Sequence, residues 1–253
     1  MAKRSNRNSD VLIQNSIKTL LANIRFSSVD GPVRSIAITS AVPNEGKTTI
    51  AIYLAEAIAS SGKNVLLVEC DMRRRSVANK INVRGSLGVY SVLSGQSGLE
   101  DAVVATRTPN MYFLDAEPGI PNPADILSSG RFKQFIAQAE QVYDCVVIDT
   151  PPVGTFVDAA VISSVVEDTV LVVRQDFSKR NEILDACDQL KKAGAHLVGT
   201  VLNCCEMKSN DYYYDYYSKK SASHTAVPAV TSNSVSPYSS ASSEVRKGTR
   251  FRS

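Results

Sequence analysis

The sequence has no tryptophan and only two histidines, His196 and His224, too far apart to build a histidine-rich zinc site. Its five cysteines, Cys70, Cys145, Cys187, Cys204 and Cys205, are odd in number and lack the paired spacing of a metal-binding finger. Three of them fall inside apolar or helical runs, the pattern of reduced thiols in a cytosolic protein rather than of a disulfide framework. Long apolar runs are absent too: none approaches the roughly 20 residues that cross a bilayer. The opening MAKRSNRNSD has neither the apolar stretch nor the small-residue cleavage site of a secretory leader. Charge of one sign is also lacking. The chain carries 28 Lys and Arg against 25 Asp and Glu, and a net +3 argues for neither nucleic acid nor an anionic membrane as a partner. Beyond Leu202 there is no further Leu or Ile, so the end of the chain cannot supply a core. These absences leave a soluble cytoplasmic protein.

What is present suits one α/β domain. The 253 residues are 43% hydrophobic and 21% charged, ordinary values for a globular protein with a self-sufficient core. Residues 1–10 are polar and basic and read as a disordered arm. Val11, Ile13, Ile17, Leu20, Leu21 and Ile24 then recur at helical spacing up to about Phe26. Strands are expected at residues 34–40, 64–70, 111–115, 145–149, 169–173 and 197–203. Each is a nearly continuous run of Val, Ile and Leu, the signature of a parallel sheet covered on both faces. Helical patterns at residues 47–61, 131–141, 159–165 and 179–192 complete a β-α-β-α order. The expected fold is α/β, a doubly wound and mostly parallel sheet flanked by helices. Its domain spans residues 11–205, and residues 206–253 form a disordered tail.

The strongest local signal is a strand, then Ala41-Val-Pro-Asn-Glu45-Gly46-Lys47-Thr48-Thr49, then a helix. A loop of this kind wraps phosphate with backbone N–H groups, and the helix N-terminus adds its dipole. Gly46 permits close approach, Lys47 reaches the terminal phosphates, and the Thr48 hydroxyl sits where Mg²⁺ is held. Ala41 stands where the first glycine is usual. Asp149 ends the apolar run Val146-Val147-Ile148 and precedes Thr150-Pro151-Pro152. A carboxylate at the C-terminal end of a parallel strand faces the same crevice and can hold Mg²⁺, directly or through water. A second strand ends in Glu69-Cys70-Asp71-Met72-Arg73-Arg74, and alternation puts Glu69 and Asp71 on one face.

These segments resemble the bacterial protein-tyrosine kinases, the cytoplasmic P-loop NTPase partners of polysaccharide co-polymerases. SAVPNEGKTT corresponds to their Walker A, VLLVECDMRR to the variant Walker A′ and VVIDTPP to Walker B, with Tyr212, Tyr213, Tyr214, Tyr216 and Tyr217 as the tyrosine cluster. LGVYSVLSGQSGLEDAV and NPADILSSGRFKQFI are similar as well, and the resemblance covers about residues 15–217. It implies ATP and Mg²⁺ as cofactors, with residues 45–49 on the nucleotide and Thr48, Glu69 and Asp149 around the metal. It makes Asp71 the acceptor of the tyrosine hydroxyl proton and Arg73, with Arg74, a basic pair for transferring phosphate. Glu69 stands where the family usually has Asp. At the N-terminal helix the family carries an acidic residue and two arginines used between subunits, whereas Asn15, Lys18 and Leu21 occupy the matching positions. A ring-like assembly is therefore less strongly implied than the active site. The implied partners are a membrane polysaccharide co-polymerase that recruits and activates the kinase at the inner membrane face, and a cognate tyrosine phosphatase.

Five tyrosines within six residues, beside Asp211 and Asp215, lie beyond the last strand and read as the kinase's own substrate. Nine residues separate Asn203 from Tyr212, a reach of at most about 30 Å, which leaves transfer in cis or in trans open; the resemblance implies trans. Residues 1–205 hold 21 basic and 21 acidic residues, whereas residues 206–253 hold seven and four, so the tail carries the whole surplus. Five phosphotyrosines would add roughly −8 to −10 and reverse it, a switch for any assembly made through the tail. Two other readings compete. One is a nucleotide-binding scaffold of the export complex with weak kinase activity. The other is a ParA/MinD-like positioning ATPase, although Val42 occupies the place of the second lysine that those proteins use across a dimer.

Overall fold

The computed structural model describes residues 2–27 and 31–205, so the tyrosine cluster and the rest of the tail lie outside the described residues. The elements run α1 Ala2–Ser27, β1 Ser35–Ser40, α2 Lys47–Ser60, β2 Val65–Glu69, α3 Val77–Ile81, α4 Val89–Ser94, α5 Leu99–Ala102 and β3 Val104–Ala105. They continue β4 Met111–Leu114, α6 Pro123–Leu127, α7 Gly130–Val142, β5 Cys145–Asp149, α8 Asp158–Ser163, β6 Asp168–Arg174, α9 Arg180–Lys192 and β7 Leu197–Asn203. Seven strands form one sheet in the order β3-β4-β2-β5-β1-β6-β7. All neighbours are parallel except β3 and β4. The two-residue β3 and the short helices α3 to α6 had no sequence signature, because none is long enough to display a period.

Alternation along the central strands divides the apolar residues between two layers. On β1, Ile36 and Ile38 pack with Ile50, Leu54 and Ile58 of α2, while Ala37 faces the opposite side. On β2, Val65 and Leu67 join the first layer, and Leu66 and Val68 meet Phe132, Phe135 and Ile136 of α7 in the second. Because helices cover both faces, every residue of β1, β2 and β5 is buried. That double coverage is why these strands read as continuous apolar runs.

The helix α1 begins at Ala2, so residues 2–10 continue it, where the sequence suggested an unstructured arm. Ile17, Leu21 and Ile24 are buried against the α2 side of the sheet, whereas Val11 and Ile13 are largely exposed. Leu21 is thus part of this domain's own core.

All the parallel strands end at one edge, and the loops after β1 and β5 are stitched together there. The Thr39 hydroxyl donates to the Pro151 carbonyl and the Thr150 hydroxyl to the Ile38 carbonyl, each at 3.0 Å. The Val153 N–H donates to the Ser40 carbonyl at 2.8 Å. These bonds bring the backbones so close that a Cβ on Gly154 would lie 2.4 Å from the Ala41 carbonyl oxygen. Gly154→Ala should therefore destabilise the protein by roughly 1–3 kcal/mol in urea unfolding, the usual cost of overpacking. Gly130→Ala, where an added Cβ meets nothing within 4 Å, should not lower stability. Equal stability of both variants would overturn this account.

Candidate nucleotide site

The phosphate loop joins β1 to α2 at this edge. Gly46 has φ 96°, a left-handed conformation that glycine adopts without strain, and α2 begins with no side chain capping it. The free backbone N–H groups of that helix end are a natural seat for an anion. Lys47 and Thr48 open the helix with both side chains buried.

Two neighbouring strands deliver carboxylates to the same place. Glu69 on β2 lies in register with Asp149 on β5, and Asp149 in turn with Ile38 on β1. Lys47 Nζ is 3.0 Å from Asp71 Oδ2 and 3.6 Å from Asp149 Oδ1. The Thr48 hydroxyl donates to Asp149 Oδ2 at 2.8 Å and lies 3.1 Å from the Ser76 hydroxyl. Asp71 also accepts the Arg74 N–H through Oδ1 at 2.9 Å, which fixes its carboxylate plane. Lys47, Thr48, Asp71 and Asp149 therefore converge from separate parts of the chain.

Burial and crowding of like charge decide the protonation behaviour. Burial pushes Asp149 up to about 6, against the opposing pull of Lys47 and the Thr48 hydrogen bond. Burial likewise pushes Glu69 up to about 7, although N–H groups of Ser76 and Val77 favour its charged form. For Lys47 burial works against the charge, but Asp149 and Asp71 outweigh it and hold the ammonium above its usual value. Cys145, buried at the start of β5, is pushed up to about 12 by that burial and is an inert thiol.

The remaining expected residues are placed more unevenly. Glu45 is fully buried and turned into its own loop: it accepts the Val42 N–H at 2.7 Å and a short hydrogen bond from the Ser178 hydroxyl. Its carboxylate props the loop, leaving only its backbone toward an anion. Glu69 accepts the Ser76 and Val77 N–H groups through Oε1, at the start of α3, while Oε2 is buried without a hydrogen-bond partner. Arg73 is engaged by Asp158, with Nε to Oδ2 at 2.9 Å and Nη2 to Oδ1 at 3.3 Å, and lies 4.4 Å above the Phe156 ring. Thr49 lines the cleft beside Lys80, whose Nζ donates to its hydroxyl at 3.2 Å.

Two positions were missed by motif reading. Asn203, at the end of β7, donates from Nδ2 to the Glu45 carbonyl at 2.8 Å, and this side chain occupies the space above Gly46. Ser76 completes the contact with Thr48. Neither belongs to a motif, because each acts across long sequence separations.

The oxygen donors fit a hard divalent cation. Thr48 and Asp149 are already paired, and Asp149 Oδ1 and Glu69 Oε2 are buried oxygens with no hydrogen-bond partner. The surrounding cleft encloses about 540 Å³, with Gly46, Lys47, Thr48, Asp71, Arg73 and Phe156 among its walls. A phosphate-binding loop, an uncapped helix and strand-end carboxylates on a doubly wound sheet define a P-loop nucleotide-binding protein.

Comparison with known proteins makes that class specific. The AAA domain family model matches residues 33–193. The tyrosine-protein kinase YwqD of Bacillus subtilis is 35% identical over 203 residues, 80% of this chain and 85% of that protein. The kinase domain of the Escherichia coli tyrosine kinase ETK superposes with a TM-score of 0.74 at 27% identity, covering 78% of this chain and 77% of that one. The septum site-determining protein MinD of Pyrococcus horikoshii, complexed with Mg-ADP, matches with a TM-score of 0.60 and 26% identity, covering 72% of this chain and 76% of that one. The chain belongs to the AAA domain family and, within it, to the bacterial tyrosine-protein kinases.

The raised Glu69 gives a pH signature. An acid whose folded value exceeds its unfolded value holds a proton longer when folded, so its contribution to stability is complete below about 4.5 and is lost as pH rises to about 7. Glu69→Gln keeps an acceptor for Ser76 and Val77 but cannot ionise. Across that window wild type should lose on the order of 2–4 kcal/mol relative to Glu69→Gln in urea unfolding without nucleotide or metal. A pH-independent difference between the two proteins would contradict the buried, proton-holding carboxyl.

Proposed function

We propose that this chain is an ATP-dependent protein-tyrosine kinase that transfers the γ-phosphate to Tyr212, Tyr213, Tyr214, Tyr216 and Tyr217 of its tail. The observation that carries the reading is the convergence of Asp71 and Asp149 on Lys47 at the head of α2. The second carboxylate beside the ammonium, Asp71 on the cleft wall, is a group able to take the proton of an attacking phenol.

In this scheme the N–H groups of residues 45–49 cradle the phosphates, and Lys47 swings from Asp71 toward the β- and γ-oxygens. That movement frees Asp71 Oδ2 to accept the tyrosine hydroxyl proton as the phenolic oxygen attacks the γ-phosphorus and the bond from that phosphorus to the β–γ bridging oxygen breaks, releasing ADP. Thr48 and Asp149, with Glu69 behind them, would hold Mg²⁺, which neutralises phosphate charge when bound. Arg73, braced by Asp158 and Phe156, faces the cleft as a fixed positive wall. Excluding water from the walled cleft strengthens each of these charge interactions.

The unit ending at Cys205 is the kinase, and residues from 206 onward are its substrate tail. Among the described residues no helix is long and apolar enough to cross a membrane. A membrane co-polymerase of the polysaccharide-export machinery would therefore provide both location and activation. A tyrosine phosphatase resets the tail, and phosphorylation governs self-association through it.

Incubation with ATP and Mg²⁺, followed by anti-phosphotyrosine detection and phosphate-release measurement, tests the reading. Wild type should label its tail. Asp71→Asn should lose about 10²–10⁴-fold in transfer rate, the range for removing a general base. A variant with the five cluster tyrosines, Tyr212, Tyr213, Tyr214, Tyr216 and Tyr217, changed to Phe should bind ATP normally and lose the cluster label. ATP hydrolysis without tail labelling in wild type would point instead to a positioning ATPase or scaffold. Sizing the protein before and after labelling should show dissociation, and an unchanged oligomer would remove the assembly switch.

A further inference from the structure

The cleft does not end at the phosphate loop. Beyond Thr49 and Lys80 it adjoins a second hollow of about 410 Å³, whose walls include Tyr53, Glu56, Thr106 and Arg107. The nucleotide reading uses none of these four. Thr49 and Lys80 line both spaces, and the bond between them forms the divide.

The charges along this path are unequal in their partners. Lys47 is matched by Asp71 and Asp149, and Arg73 by Asp158. The exposed side chains of Arg74 and Lys80 meet, among the described residues, only neutral acceptors, the Asn44 amide oxygen at 3.2 Å and the Thr49 hydroxyl. Arg107 is exposed and forms no ion pair within the described residues. Glu56 is the one carboxylate on the wall of the second hollow. Three cationic side chains without a carboxylate partner among the described residues thus follow a path leading from the phosphate loop.

The segment offered to this site has the complementary pattern. Asp211 and Asp215 bracket Tyr212, Tyr213 and Tyr214, so each of these tyrosines has a carboxylate within three residues. In an extended peptide such a carboxylate lies up to about 10 Å from the reacting residue. That distance carries it out of the phosphate cleft and toward the neighbouring hollow.

We propose that Arg74, Lys80 and Arg107 form an acceptor-peptide subsite that selects tyrosines flanked by carboxylates, its occupant being the Asp211–Tyr217 segment of a second copy of this chain. The proposal rests on the kinase reading and adds the substrate class. Lys80, at the divide, takes the carboxylate nearer the reacting tyrosine, and Arg107 takes the next one out. Tyr53 supplies a ring against which a neighbouring tyrosine of the cluster can pack.

The test uses the full chain with ATP and Mg²⁺ and three synthetic acceptors: a peptide of residues 209–217, the same peptide with Asp211→Asn and Asp215→Asn, and the same peptide with Asp211→Lys and Asp215→Lys. Wild type should phosphorylate the acidic peptide with a kcat/KM roughly three- to tenfold higher than the Asn peptide, the scale of two solvent-accessible ion pairs. The preference should shrink as salt is raised. Lys80→Ala with Arg107→Ala should abolish the ratio, and Arg107→Glu should invert it toward a peptide carrying Lys in place of Asp. That inversion is an outcome a merely weakened fold cannot produce. Equal use of the acidic and Asn peptides by wild type, or an unchanged ratio in the variants, overturns the subsite while leaving the kinase reading intact. Failure to phosphorylate any peptide or the tail overturns both.

Discussion

The ammonium of Lys47 is the charge on which the site depends. It lies between Asp71 and Asp149, with Glu69 one strand away, so three carboxylates gather around one buried cation. Such a cluster is short of positive charge. The shortage appears as the upward shifts of Asp149 and Glu69 and as two buried oxygens without hydrogen-bond partners. Folding tolerates the arrangement because the sheet holds it rigidly, with fully buried strands on either side. A divalent cation at these oxygens would restore the balance.

Support for the phosphate loop comes from the far side of the sheet. The ends of β6 and β7 send Arg174, Ser178 and Asn203 to the backbone of Asn44, the carboxylate of Glu45 and the carbonyl of Glu45 respectively. The loop is therefore held at three points by the fold itself. Pre-ordered donors spend less of the binding energy on their own immobilisation. Glu45, which motif position alone would place near phosphate, instead serves as an internal strut.

Much of this was legible in the residues. The central strands, α2, α7 and α9 announced themselves because burial on both faces demands continuous apolar runs and amphipathic helices demand a 3.6-residue period. The convergence of Lys47, Thr48, Asp71 and Asp149 followed from parallel strands ending at one edge. What stayed hidden was contact across sequence distance: Asn203 over Gly46, Ser76 beside Thr48, and Asp158 claiming Arg73. A carboxylate reads the same on paper whether it lines the cleft, as Asp71 does, or turns to its own backbone, as Glu45 does. The helical start at Ala2 escaped for another reason, since a polar basic stretch carries no apolar stripe to mark it.

The hydrogen bond from Asn203 to the Glu45 carbonyl has a mechanical side. Two residues after Asn203 the kinase unit ends at Cys205, and the chain continues toward the tyrosines. The side chain that clasps the phosphate loop is thus the last one of the outermost parallel strand, so a shift in where β7 stops would move the Glu45 carbonyl with it.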